Sequence, residues 1–355
     1  MFAAVVATRF LLPLLIPRHP LPAIIGCLVV DGVDQTIFQA FGYDPPGYQS
    51  YDKAMDVYYL AIAYVTTLRN WTSIPAFEVS RFLYFYRLVG VVTFELAQAR
   101  WLLLVFPNTF EYFFIAYEAI RSRWNPLRLL LAGWVLLAAG IWVFVKLPQE
   151  WWIHVAQLDV TDTLADYPWT WAVLVGGILA LLAVWWFVVR PRLPDPDWPP
   201  RTVADPLPEE MDTAAEQARW RAEHSRVWSW TTLEKVALVG LLSVVFAQLL
   251  PHVRATPLEV LVGTAVLVVA NAGIVLALAR RAVSAESLVV TFLFRVVVNV
   301  ALVGVAELVL GARDLDASAT VFFLVLLSLL TTMHDRYLPV HAFRAREGRA
   351  GRPIG

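Results

Sequence analysis

Lysine is almost missing from this chain: in 355 residues it occurs only at Lys53, Lys146 and Lys235, while arginine is plentiful. With so much Ala, Val and Leu, that bias points to a GC-rich bacterial genome. Cysteine is rarer still. Cys27 stands alone, which excludes an internal disulfide and any CxxC metal or redox pair. Charge is scarce as well, at 16% of residues against about 25% in soluble domains. With 59% hydrophobic residues and a mean hydropathy of +0.62, the side chains are too apolar for one water-soluble core and must face lipid. A net charge of -1 removes the basic surface that a nucleic-acid partner needs. There is no P-loop, GxGxxG, HExxH or GxSxG motif. The N-terminal MFAAVVATRFLLPLLIPRHP has no basic region before its apolar run and no A-x-A site, so it reads as part of the mature protein.

What is present is a set of apolar runs. Leu127–Leu147, Tyr167–Val189, Lys235–Leu250, Leu258–Ala279, Leu288–Leu310 and Ala319–Val340 are each close to the ~20 residues that cross a bilayer, the third being short. Trp and Tyr mark several of their ends, as in interfacial belts. Arginines crowd alternate connections, before the first run, after the second, between the fourth and fifth, and after the last. By the positive-inside rule the 190–230 loop and the C-terminus are cytoplasmic, in a multi-pass protein of the cell membrane.

The fold class expected is all-α, a polytopic integral membrane protein with about eight to ten membrane helices or half-helices. Residues 1–126 form an N-terminal membrane region with an Asp-rich hairpin. Residues 127–189 form a helix pair, 190–230 a cytoplasmic linker, 231–340 a four-helix bundle and 341–355 a basic tail. In the linker, PRLPDPDWPP is an extended spacer and LPEEMDTAAEQARWRAEHSRVW a short helix, acids first and arginines last. Within 1–126, Ala54–Leu68 and Phe82–Ala97 are plausible short spans. Trp101–Ile120 is interrupted by FPN at Phe106–Asn108 and either spans or re-enters.

Charges inside apolar segments are costly and each needs a partner or a task. Arg87, Glu95, Glu111 and Glu118 lie in such segments, with Glu111 and Glu118 seven apart on one helical face. They either pair with arginines and hold helices together or line a polar path with Tyr84, Tyr86, Tyr112 and Tyr117. Arg295, mid-segment, requires an acid or an anionic ligand, whereas Asn271 and Asn299 suit packing through hydrogen bonds. His334-Asp335-Arg336 reads as an interfacial anchor.

The densest polar stretch is DGVDQTIFQAFGYDPPGYQSYDKAMD, from Asp31. On helices Asp31 and Asp34 share a face, as do Asp52 and Asp56, and GYDPPG turns the chain between them. Four carboxylates near one membrane surface suit Mg²⁺ or Mn²⁺, and through them a phosphate. The bland reading is helix caps and solvated acids beside Lys53. The spacing resembles the CDP-alcohol phosphotransferase motif D-x2-D-G-x2-A-R-x8-G-x3-D-x3-D, all of whose aspartate positions are filled. Gln35 and Tyr48 replace its glycines, Phe38 its alanine and Gln39 its arginine. The resemblance implies metal ligation by Asp31, Asp34, Asp52 and Asp56.

Two functions follow as expectations. One is a membrane-embedded enzyme acting on a lipid-linked phosphate or diphosphate, with Asp52, Asp56 and Lys53 catalytic and Arg69 or Lys53 meeting the phosphate. The other is a transporter, channel or assembly subunit in which Arg87, Glu95, Glu111, Glu118 and Arg295 line a path or join helices. The lipid bilayer is the expected partner in either case, and nucleic acid is not.

Overall fold

The computed structural model describes residues 2–40, 48–99, 101–152, 156, 167–249, 255–281, 287–310 and 317–349, and helices are the only regular secondary structure among them, with no strand. α1 (Phe2–Leu11) ends in a 3-10 turn whose prolines lead into α2 (Pro20–Ala40). α3 (Tyr48–Asn70) returns and α4 (Ile74–Ala97) follows, capped by the Ser73 hydroxyl accepting from the Ala76 N–H. Gln98 closes α4 in the left-handed conformation, φ 53°. α5 (Trp101–Val105) and α6 (Thr109–Arg121) are separated at Phe106–Asn108, where Pro107 interrupts the helical ladder. α7 (Leu131–Ile141) continues through a π-helical stretch to α8 (Leu147–Glu150). α9 (Thr170–Val184), α10 (Ala214–His224), α11 (Trp230–Leu249), α12 (Pro257–Arg280), α13 (Leu288–Leu310) and α14 (Ala317–Arg349) complete the chain.

Six stretches are long and apolar enough to cross a membrane among the described residues: Leu131–Glu150, Thr170–Arg192, Trp230–Gln248, Pro257–Arg280, Leu288–Val305 and Thr320–Gly348. These coincide with the six apolar runs of the sequence, and the chain is a multi-pass membrane protein. The expected count of eight to ten is not confirmed by these six. The physical reason lies in α3 and α4. α3 is enclosed by α1, α2, α4, α6, α11 and α14, and nearly every side chain from Ala54 to Leu68 is buried, so protein replaces lipid around it. α4 carries Glu78, Arg81, Arg87 and Glu95 along its length.

α3 is the axis of the core. Tyr64 stacks on Tyr84 at 4.5 Å and lies edge-on to Phe85, while Trp71 stacks on Tyr117 at 3.7 Å. Leu60, Val65, Leu242 and Leu330 fill the space between α3, α11 and α14. Gly90 brings α4 against the α5–α6 break, since a Cβ there would lie 2.1 Å from Phe106 Cβ. Across α12, α13 and α14, Asn271 Nδ2 donates to Asn299 Oδ1 at 2.6 Å and Asn299 Nδ2 to Ser328 Oγ at 2.9 Å. α9 instead is exposed along the described face to whatever surrounds it, as a lipid-facing helix would be.

The proline-rich part of the linker is extended, and it is also pinned. Asp197 N–H donates to Arg123 O, Arg201 N–H to Ser122 O and Ala204 N–H to Arg18 O, at 2.9, 3.0 and 2.9 Å. Trp198 Nε1 donates to Arg121 O at 3.0 Å. α10 then starts at a Thr213–Glu216 capping box, whose hydrogen bonds hold the Glu216 carboxyl below its ordinary pKa. α10 packs against α12 and α14.

Candidate functional site: two charged centres

The first centre contains the aspartates. α1 delivers Arg9, buried at 5% exposure, into the α2–α3 hairpin. Its Nη2 binds Asp31, and its Nη1 binds Asp34 and, at 3.2 Å, Asp52. Lys53 Nζ reaches the other Asp52 oxygen at 3.2 Å. Asp56, one turn further along α3, turns away to Arg87 on α4 at 3.3 Å. Arg87 also donates to Phe106 O at 3.0 Å, and so ties α3 and α4 to the break before α6. The hairpin therefore brings Asp31, Asp34 and Asp52 together as the spacing implied, but around a guanidinium. Among the described residues no three His, Cys, Asp or Glu side chains are arranged to hold a metal ion. A divalent ion would have to displace Arg9.

The other acids of the N-terminal region have separate partners. Glu118 accepts from Arg121 Nε at 2.7 Å and from Trp71 Nε1 at 2.8 Å, and Arg121 reaches on to Asp205 of the linker at 3.2 Å. Glu111 accepts from Tyr59 Oη at 2.6 Å and Asn108 Nδ2 at 3.0 Å. Glu150 faces Lys146 at 3.9 Å. Glu95 is buried at the end of α4, and its Oε1 has no hydrogen bond. The tyrosines disperse: Tyr84 stacks on Tyr64, Tyr86 donates to Val105 O, Tyr112 lies 4.3 Å under Lys146 Nζ, and Tyr117 accepts from Thr72 N–H. Arg69 lies at the far end of α3, on Asn70 and Pro17 O.

The second centre was not legible as a group in the sequence. Asp335 of α14 binds Lys235 of α11 and, at 2.8 Å, Arg295 of α13. Arg221 of α10 donates to the Asp335 carbonyl at 2.7 Å. Asp335 is thus the hub of four helices where the sequence suggested an interfacial anchor. Beside it, between α10, α12, α13 and α14, lies a cavity of about 390 Å³. Val275, Leu278, Leu288, Val290 and Phe294 form its apolar wall, and Arg221, Arg295, Thr332, Asp335 and Arg336 its polar end. Three buried polar atoms on that lining have no hydrogen-bond partner: Arg295 Nη1, Arg221 Nε and Thr332 Oγ1. Arg295 and Thr332 are 4% and 2% exposed. The Asp335 carboxylate thus meets two cations, Lys235 and Arg295, with Arg221 on the carbonyl of the same residue, an excess of positive charge with donor capacity left over. The signals in the sequence were Lys235, one of three lysines and placed in an apolar run, and Arg295 itself. Their convergence on Asp335 joins residues 40 and 100 positions apart.

No protein-family model matches the chain, and no curated protein or solved structure matches it either.

Proposed function

We propose that the protein binds an anionic amphiphile, a lipid bearing a phosphate or diphosphate, in the cavity beside Asp335. The head group meets Arg221, Arg295 and Arg336, and the acyl portion lies on the apolar wall. The observation that carries this reading is Arg295. One guanidinium nitrogen is satisfied by Asp335 and the other, buried in the cavity lining, has no partner. A buried donor left unmade costs about 1–3 kcal/mol, so a ligand that accepts from it is favoured by that amount. Phosphate oxygens match the guanidinium fork, and phosphate charge offsets the excess of cations. The cavity is lined by the C-terminal end of α12 and the first turns of α13, the end where arginines crowd the connections. A lipid head group at the bilayer surface lies at that level.

This reading retains the lipid phosphate expected from the sequence and moves its recognition from the aspartates to the cations. No chemical step is routed through Asp52, Asp56 or Lys53, because Asp52 is engaged by Arg9 and Lys53, and Asp56 by Arg87. The test is binding of phosphatidic acid, against phosphatidylcholine, to the purified chain in nanodiscs. Arg295→Gln should weaken binding about 10- to 100-fold, the range of one charge-assisted hydrogen bond at about 1.5–3 kcal/mol. Equal binding of the two lipids, or an unchanged affinity in Arg295→Gln, refutes the assignment.

A further inference from the structure

A second cavity, of about 590 Å³, lies where α10 leads into α11 beside the C-terminal end of α14, and the lipid reading does not use it. Its charge is of one sign. Arg226 and Arg346 stand on the lining with His224 and the hydroxyls of Ser229 and Thr231, and among the described residues the lining carries no carboxylate. The acids adjoining it in sequence, Glu223 and Glu347, are not on it. Neither arginine has an ion-pair partner among the described residues. Arg9, Arg87, Arg121 and Arg295 by contrast each hold an acid. Two unpaired cations on one cavity wall call for an anion.

The rings on the lining say what kind of anion. Trp220 is taken: His224 stacks on it at 4.0 Å, and the Arg346 guanidinium lies over it at 5.1 Å, which holds that arginine at the wall. Trp230 is 85% exposed and has no ring partner among the described residues. The remaining apolar surface is short, made of Leu338, Pro339 and two alanines. That is no bed for an acyl chain, unlike the wall of Val, Leu and Phe in the lipid cavity. A flat ring carrying a phosphate suits it, because an indole face stacks any nucleobase and guanidinium groups and hydroxyls donate to phosphate oxygens. Ser225, Arg226, Thr231 and Leu338 also line a small cavity of about 40 Å³ that reaches Arg221, Lys235 and Asp335. The Arg226 side of the large cavity therefore adjoins the Asp335 centre, and the phosphates belong there.

We propose that this cavity binds a nucleoside phosphate as a second, water-soluble ligand, its base on Trp230 and its phosphates at Arg226 and Arg346. The site uses neither Arg295 nor the apolar wall of the lipid cavity, so it stands or falls separately from the lipid assignment. With no carboxylate on the described lining to hold Mg²⁺, the metal-free nucleotide is the form bound.

The experiment is calorimetric titration of the full-length protein, in nanodiscs of phosphatidylcholine, with ADP, adenosine or pyrophosphate and no divalent metal. Phosphatidylcholine brings no net anionic head group to compete. ADP should bind more tightly than adenosine, which lacks the phosphates, and than pyrophosphate, which lacks the base. Trp230→Ala should weaken ADP binding about 5- to 100-fold, the range of one base–aromatic stack, and Trp230→Phe should restore most of it. Arg226→Gln should weaken ADP and leave adenosine as it was. Trp230 and Arg226 are both exposed, so neither substitution opens the core. Trp228→Ala, at a ring 81% exposed but not on the lining, should bind ADP like wild type. Absence of ADP binding at millimolar concentration overturns the proposal. So does pyrophosphate binding as tightly as ADP, since the cavity then reads phosphate alone. If Trp230→Ala binds ADP like wild type, the indole is an interfacial anchor and the assignment fails.

Discussion

Replacing Arg9 by Met tests the first centre most directly. The substitution keeps most of the side-chain length and removes the guanidinium that holds Asp31, Asp34 and Asp52 together. Breaking a buried ion pair from one side costs about 3–5 kcal/mol, because the partner is left charged and unpaired. Three such penalties do not add here. Only the Asp34 side chain is wholly buried, whereas those of Asp31 and Asp52 are 26% and 22% exposed and Lys53 still reaches Asp52. Proton uptake by one of the three caps the cost further. The expected loss is therefore about 3–5 kcal/mol in all, a large part of the about 5–15 kcal/mol that holds a domain together. Arg9→Lys should fall between, since one ammonium cannot fork to three acids. Thermal melting in detergent, with and without millimolar Mg²⁺ or Mn²⁺, reads both effects. Wild type should be indifferent to the metal, and Arg9→Met should gain a metal-dependent rise that Asp52→Asn reduces. If Arg9→Met melts like wild type, the clamp carries no stability. If wild type itself is stabilised by Mg²⁺ and Asp52→Asn with Asp56→Asn abolishes this, the aspartates are the divalent site that the motif resemblance implies.

Three further outcomes are expected. Asp335→Asn should destabilise by about 3–5 kcal/mol by leaving Lys235 and Arg295 without their acid, and adding Arg295→Gln should recover part of the loss, measured by melting. Gly90→Ala should cost about 1–3 kcal/mol, because Phe106 must move from a Cβ placed 2.1 Å away; an unchanged melting curve would show that the break yields freely. Single cysteines at Glu210 and Gln157, in a Cys27→Ala background, should label from opposite sides of the membrane, with Glu210 on the cytoplasmic side; labelling from one side would overturn the positive-inside topology.

The membrane character and the six apolar spans were present in the sequence because lipid imposes a local requirement. About 20 consecutive apolar residues must appear wherever a helix faces hydrocarbon, whatever the rest of the chain does. The break at Phe106–Asn108 was legible for a similar reason, since Pro107 interrupts its own ladder. That Asp31 and Asp34 share a helical face also follows from period alone, whereas Asp56, one turn from Asp52, is drawn away to Arg87. What fills the space between Asp31, Asp34 and Asp52 does not follow from it. Arg9 precedes Asp31 by 22 residues, and only the packing of α1 against α2 and α3 brings it there. The same holds for Glu118, whose arginine is a local one, Arg121, but whose link onward to Asp205 crosses to the linker. It holds most for the cavity. Lys235, Arg295 and Asp335 each look like an isolated charge in an apolar segment, and a helix buried by protein has no composition that names its neighbour. Local period determines which residues share a face. The burial of charge in a low-dielectric interior makes partners obligatory, but only the crossing of α10, α11, α13 and α14 decides which partner each charge receives.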